Sequence, residues 1–230
     1  MASEDHGTGA AEAAAESIRE MIRRRELLPG EPVRQQDMAE RLEVSRVPIR
    51  EALNSLQKEG LLRHVRNRGY FVAKLSSAQL GQIYLMRELL ETALLSEIVW
   101  PDDDAIDALA AINSELASAA EKEQPGRVAT LNREFHEAIF SLSPLDLIHI
   151  EVNRLWQMSD SYRAFYLAGP SRHHTAVEHD GIIEALRARD RDLLVGRLNE
   201  HRARARNEVG AMLGGPAVAP AAAGRVGSAN

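Results

Sequence analysis

Residues 29–72 read PGEPVRQQDMAERLEVSRVPIREALNSLQKEGLLRHVRNRGYFV, and the order of signals in this stretch decides the fold. Pro29-Gly30 is a chain-turning pair. Gln35–Leu42 follows as a short helix with Met38, Ala39 and Leu42 turned inward. Glu43-Val44-Ser45 forms a turn. Arg46–Glu59 is then a second helix with Ile49, Ala52, Leu53 and Leu56 on one face. Ser45 suits its N-cap, and Pro48 is tolerated in its first turn. Gly60 stops it. Leu61–Val65 and Gly69–Ala73 read as two strands around Arg66-Asn67-Arg68. Helix, turn, helix and basic hairpin in this order make a winged helix-turn-helix.

Such a motif reads DNA through the first turns of its second helix. Arg46, Val47 and Arg50 face outward there, with Ser45 at the cap. Arginine matches guanine edges bidentately and also binds phosphate. Arg34, Gln35 and Gln36 open the preceding helix, where backbone phosphate is within reach. The wing tip, Arg66 to Gly69, is basic and slim enough for a minor groove.

The net charge of −6 fits this reading once it is divided. Residues 12–74 hold 13 Lys/Arg against 10 Asp/Glu, whereas residues 75–230 hold 15 against 22. The positive share therefore lies on the DNA-reading part, and the acidic remainder limits non-specific binding. Apolar residues make up 44% of the chain, enough for real cores. No run of about 18 apolar residues suggests a membrane span. The first residues, MASEDHGTGA, lack the apolar centre of a signal peptide. The chain has no cysteine, which excludes disulfides and thiolate metal sites and fits a reducing cytoplasm.

Upstream, Ala14, Ile18, Met21 and Ile22 space a helix over 11–27, and residues 1–11 are expected to be disordered. Beyond Ser76 no strand pattern persuades. Helices are expected near 77–99, 103–122, 126–142, 145–167, 172–188 and 191–209. The expected organisation is a disordered start, a winged helix-turn-helix over 12–74, an all-α effector domain over 76–210 and a disordered Ala/Gly/Pro tail over 211–230.

Three histidines fall on inward stripes of three different helices. His136 lies beside Phe135, Ile139 and Phe140, with Asn132 one turn earlier on the same face. His179 lines up with Ile182, Ile183 and Leu186; His201 lines up with Leu194 and Leu198. A hairpin turning near Asp190 would let His179 and His201 meet. Three neutral imidazoles inside a bundle make a transition-metal site, and Asn132 can add a carbonyl oxygen. A lone histidine on an apolar face is more often a hydrogen-bonded core residue, so the triple coincidence carries the reading. An anionic ligand at such a site needs a cation. Arg87 is the first candidate, with Tyr84, Tyr162 and Arg163 behind it. No nucleophile elbow, P-loop or dinucleotide fingerprint is present. Glu137 and Glu178 sit one residue off the ligand stripe, which argues against a hydrolase.

The segments LLPGEPV, DMAERLEVSRVPIREALNSLQKEGLL and RNRGYFV closely resemble the GntR family of bacterial regulators. That resemblance implies DNA contacts at Ser45, Arg46, Val47, Pro48, Arg50, Arg68 and Gly69, with a homodimer on a palindromic operator in double-stranded DNA. Glu43 stands where relatives carry a small residue, usually glycine. Further on, MRELLETA, LNREFHEAI, EHDGIIEALRARD and RLNEH resemble the FCD ligand-binding domain of FadR-type members. This implies a four-ligand metal site on Asn132, His136, His179 and His201, with zinc first and nickel or manganese open. Asparagine replaces the more usual aspartate, which leaves the site more positive and suited to an anionic effector such as a carboxylate. The expected function is a ligand-responsive regulator, a repressor and not an enzyme. The alternatives are a metal-free or purely structural-metal pocket for an acyl or uncharged ligand, and a metal-dependent hydrolase with a DNA-binding head.

Overall fold

The expected alternation of short helices and a basic hairpin, followed by helices alone, is what the chain forms. The computed structural model describes residues 4–167 and 171–213. The N-terminal part contains α1 (Glu4–Arg23), β1 (Pro32–Val33), α2 (Gln35–Arg41), α3 (Arg46–Lys58), β2 (Leu62–Val65) and β3 (Gly69–Val72). Its sheet is antiparallel in the order β1-β3-β2, with Val65 opposite Gly69 and Pro32 opposite Phe71. Ile18 and Ile22 of α1 share a core with Ile49, Leu53 and Leu56 of α3 and Leu62 and Val72 of the sheet. α1 is described from Glu4, so the disorder expected over 1–11 does not extend to residues 4–11. The alanines from Ala10 onward favour helix strongly enough to extend it backward. Residues 1–3 and 214–230, which the sequence assigns to disordered ends, lie outside the described residues.

The remainder is helical: α4 (Ser77–Ser96), α5 (Asp103–Glu121), α6 (Pro125–Phe140), α7 (Asp146–Leu167), α8 (Ser171–Ala188) and α9 (Arg191–Met212). α9 continues past the boundary expected at 210. α4 packs on α7 and α9, and α5 packs on α6 and α8. Local signals explain the starts. Ser76 and Gln79 form a reciprocal capping box on α4, Asp102 caps α5 through the Ala105 amide, and Asp190 caps α9 through Leu193. Asp102 and the two aspartates after it therefore serve the helix terminus, as expected of that run. No helix among the described residues is long and apolar enough to cross a membrane.

α7 joins the two parts. Gly60 ends α3 at φ +85°, and a β-carbon there would touch Met158 of α7 at 3.4 Å. Arg23 of α1 faces Asp160 at 3.8 Å. The Tyr162 hydroxyl accepts from the Leu75 amide at 2.6 Å and reaches the Leu75 carbonyl at 3.4 Å. Leu75 lies in the connection before α4. Tyr162→Phe would leave that buried amide unpaired, at a cost of about 1–3 kcal/mol. Urea unfolding should show the loss, and the Leu75 amide should exchange faster with solvent. Unchanged stability would mean that this bond does not hold the junction.

Candidate metal centre and nucleic-acid interface

α3 buries Ile49, Ala52, Leu53 and Leu56 and turns Ser45, Arg46, Val47 and Arg50 to solvent, with Pro48 half-buried. Val47 is 55% exposed, so its methyl groups are free to meet a partner surface. Ser45 occupies the N-cap position of α3, as expected, yet its side chain makes no capping bond. Glu43 has φ +55°, a left-handed conformation that explains why a glycine would be at home there. Arg34 is exposed at the start of α2, 3.8 Å from Asp37. The Arg46 guanidinium donates to Gln36 at 3.3 Å, so the starts of α2 and α3 form one polar edge. In the wing, Asn67 (φ +63°) and Gly69 make the tight turn. The Arg68 and Arg63 guanidiniums lie 5.3 and 6.0 Å from the Phe71 ring centre. The exposed His64 ring packs on Tyr70.

The three inward histidines meet. α6 supplies His136, α8 His179 and α9 His201, all buried, with one ring nitrogen of each within 4.8 Å of the others. His136 Nε2 and His201 Nε2 are 3.2 Å apart. Two imidazole nitrogens on a tetrahedral zinc sit about 3.3 Å apart. Phe135 stacks flat on His179, with centroids 3.9 Å apart and an interplanar angle of 6°, and fixes that ring. Burial pushes His136 and His179 well below the usual imidazole value; crowding of the rings against one another and the Arg163 guanidinium push the same way. Burial also lowers His201, although Glu178 opposes the shift. Each shift favours the neutral form that binds metal.

Buried polar atoms on the expected ligand residues lack a protein partner: His179 Nε2 and Asn132 Oδ1 make no hydrogen bond. Native interiors pair nearly all such atoms, so each of the two has capacity left for a ligand. Three neutral imidazoles and an amide oxygen fit a divalent transition metal.

The proposed anion-binding residues divide. Arg87, Tyr84 and Arg163 are buried around Trp156, whose ring lies 4.8 Å from His136. The Arg163 guanidinium sits 3.4 Å and that of Arg87 4.2 Å from the Trp156 ring centre. Arg87 also lies 5.0 Å from the Tyr84 ring. Arg87, the first candidate cation, carries a counter-charge of its own: its Nε donates to Glu91 at 2.7 Å, leaving Nη1 buried and unpaired. Arg163 Nε is likewise unpaired. Burial, reinforced by repulsion from Arg87, lowers Arg163 to about 10, so it stays charged at neutral pH. Tyr162 stands apart, its hydroxyl committed to the Leu75 backbone.

Several residues here carried no assignment from sequence. Glu91, only 1% exposed, also accepts from Trp156 Nε1 at 2.7 Å and from Arg202 Nε at 2.8 Å. Asn113 and Glu178 contact His179 and His201 from outside the cluster. His173 and His174 are exposed, and His149 lies 2.8 Å from Glu137.

A winged helix joined to a helical domain with a buried polar centre is the build of a DNA-binding transcription regulator. The profile of bacterial regulatory proteins of the gntR family matches residues 10–72, and that of the FCD domain matches residues 82–204. The chain belongs to the GntR family of bacterial regulators, in an arrangement that fits its FadR subfamily. It is similar to the Nta operon transcriptional regulator of Aminobacter aminovorans, 34% identical over 116 residues. That match spans 50% of this chain and only 55% of the relative. It is also similar to the transcriptional repressor RspR of Escherichia coli, 26% identical over 178 residues, 76% of this chain and 78% of RspR. The solved E. coli McbR/YncC shares the fold, with TM-score 0.77 at 19% identity over 88% of this chain and 98% of that one. These families and relatives are regulators, not enzymes.

Proposed function

We propose that the chain is a homodimeric cytoplasmic repressor whose operator binding is set by an anionic metabolite, a carboxylate, held at or beside a divalent metal. The observation that carries this reading is the meeting of His136, His179 and His201 beside Trp156, on whose ring Arg87 and Arg163 also lie. Buried atoms on these residues, His179 Nε2, Arg87 Nη1 and Arg163 Nε among them, have no hydrogen-bond partner. Asn132, His136, His179 and His201 would hold the metal, with zinc first and nickel or manganese as other occupants. When bound, the metal supplies a Lewis-acid anchor for a carboxylate, and Arg87 and Arg163 supply the charge-assisted donors. Tyr84 shapes the wall. Tyr162, at the junction with the winged domain, is better placed to feel the ligand than to touch it. The name of RspR supports repression as the mode of action.

At the other end, Arg46 and Arg50 would read bases. Ser45, Val47 and Pro48 would seat the helix, and Arg34, Arg68 and Gly69 would hold backbone and wing. The test starts with duplexes selected by the protein from a random pool. A palindrome should emerge, and zinc with a panel of organic acids should then weaken its binding. An asymmetric site would overturn the dimer, and indifference to every acid would overturn the effector. On the selected duplex, Arg50→Ala should lose about 1–3 kcal/mol, roughly 10- to 100-fold in affinity, with relaxed preference at one base pair. Arg68→Ala should instead weaken all duplexes alike and flatten the salt dependence.

A further inference from the structure

We infer that Asn113 and Glu178 are positioning residues that set the tautomers of His179 and His201, aiming the Nε2 lone pair of each at the cation. The inference rests on the metal reading above. Asn113 is buried in α5, a helix that provides no ligand. Its amide can be oriented from its neighbours. Nδ2 donates to the Ala176 carbonyl at 2.9 Å and to Asp180 Oδ1 at 2.7 Å, and neither oxygen can donate in return. The other amide atom is therefore Oδ1, an acceptor only, and it lies 3.2 Å from His179 Nδ1. A ring nitrogen at hydrogen-bond distance from an obligate acceptor must carry the hydrogen. A neutral imidazole has one such hydrogen, so His179 Nε2 is bare. That same nitrogen is the one buried without a partner. The hydrogen-bond chain and the unpaired atom are separate observations, and they agree.

His201 repeats the logic with a charge. Its Nδ1 lies 2.6 Å from Glu178 Oε2. The Glu178 carboxylate is also paired with the Arg204 guanidinium, which fixes its place. The carboxylate accepts, so His201 donates from Nδ1 and keeps Nε2 bare. His201 Nε2 then faces His136 Nε2 at 3.2 Å. His136 has no such outer partner: its Nδ1 is buried and unpaired. Two of the three imidazoles are thus preset before a cation arrives, and His136 is the one left to adjust. Metal-ligating histidines depend on such outer partners for orientation and basicity, and losing one costs about 10- to 100-fold in metal affinity.

The probe is zinc alone, measured by competition with a chromophoric chelator, together with nitrogen-15 NMR of the histidine rings. In the wild-type chain, His179 and His201 should each show hydrogen on Nδ1. Asn113→Leu and Glu178→Leu should bind zinc about 10- to 100-fold more weakly while remaining folded by circular dichroism. Glu178→Gln keeps an acceptor for His201 and should restore most of the affinity. Zinc affinity unchanged from wild type in both leucine variants, or hydrogen on Nε2 of His179, would overturn the assignment and leave the metal reading standing. A wild-type chain that binds no zinc would overturn both. If Asn113→Leu fails to fold, the wild-type ring spectrum and the Glu178 pair still decide.

Discussion

His179→Ala is expected to strip the protein of its metal. Wild-type protein purified without chelator or affinity tag should carry about one equivalent of divalent metal per chain, and the variant less than a tenth of that. Structural zinc binding is worth about 10–16 kcal/mol over four ligands, so one ligand is worth roughly 3 kcal/mol, or about 100-fold in affinity. No neighbour can stand in for it. The Asn113 amide is committed to Ala176 and Asp180, and Phe135, stacked on the ring, is apolar. His149→Ala, changing a histidine paired with Glu137 outside the cluster, should leave the metal in place. Chelation of the wild type should also lower its melting temperature, because a ligand bound only by the folded state stabilises it by mass action. His179→Ala should melt at the same temperature with or without chelator. Metal-free wild-type protein would sink the site, and the three rings would then be core hydrogen-bonders.

The parts of this molecule written in local signals were legible, and the parts written in tertiary contacts were not. Pro29-Gly30, Ser45, Gly60 and the Arg66–Gly69 tip sit at fixed offsets, so the winged helix follows from one stretch of chain. The inward faces of His136, His179 and His201 follow from helical period alone. β1 escaped notice because Pro32-Val33 is too short for any alternation; only pairing with Tyr70 and Phe71 makes it a strand. Asn113 left a trace, since it interrupts an apolar line from Leu109 to Leu116, but nothing in the sequence tied it to His179, 66 residues away. Glu178 left none. Beside His179 it looked one residue off the ligand stripe. That is true of the inner side of the site, yet it places the carboxylate on the outer nitrogen of His201. The same limit hid the partner of Arg87. MRELLE offers Glu91 one turn on, which reads as an ordinary solvated pair, and Arg202 sits in an arginine-rich run that reads as surface.

That pair is the other place where a single substitution should have a large effect. Glu91→Ala is expected to destabilise the fold by about 3–5 kcal/mol, the cost of breaking a buried ion pair by removing one partner. The Glu91 carboxylate ties α4 to α7 through Trp156 and to α9 through Arg202, besides holding Arg87 on its own helix. Its removal leaves two buried guanidiniums without a counter-charge and an indole N–H without an acceptor. Burial alone would raise the Glu91 carboxyl, but Arg202, Arg87 and the Trp156 hydrogen bond outweigh it and hold it at about 2, against an ordinary 4.5. A carboxyl depressed on folding adds stability that is complete above the unfolded value and is lost as pH falls toward the folded one. Here the window runs from about 4.5 down to about 2, and the amount is on the order of 3 kcal/mol. Glu91→Gln, which keeps the shape and removes the charge, isolates this term from other carboxyls. Urea unfolding should show wild type well above Glu91→Gln at pH 7, with the gap closing below pH 4. A gap constant with pH would mean that the carboxylate acts by shape and hydrogen bonding alone. A closing gap would identify the charge of Glu91, and not its shape alone, as what ties α4 to α7 and α9.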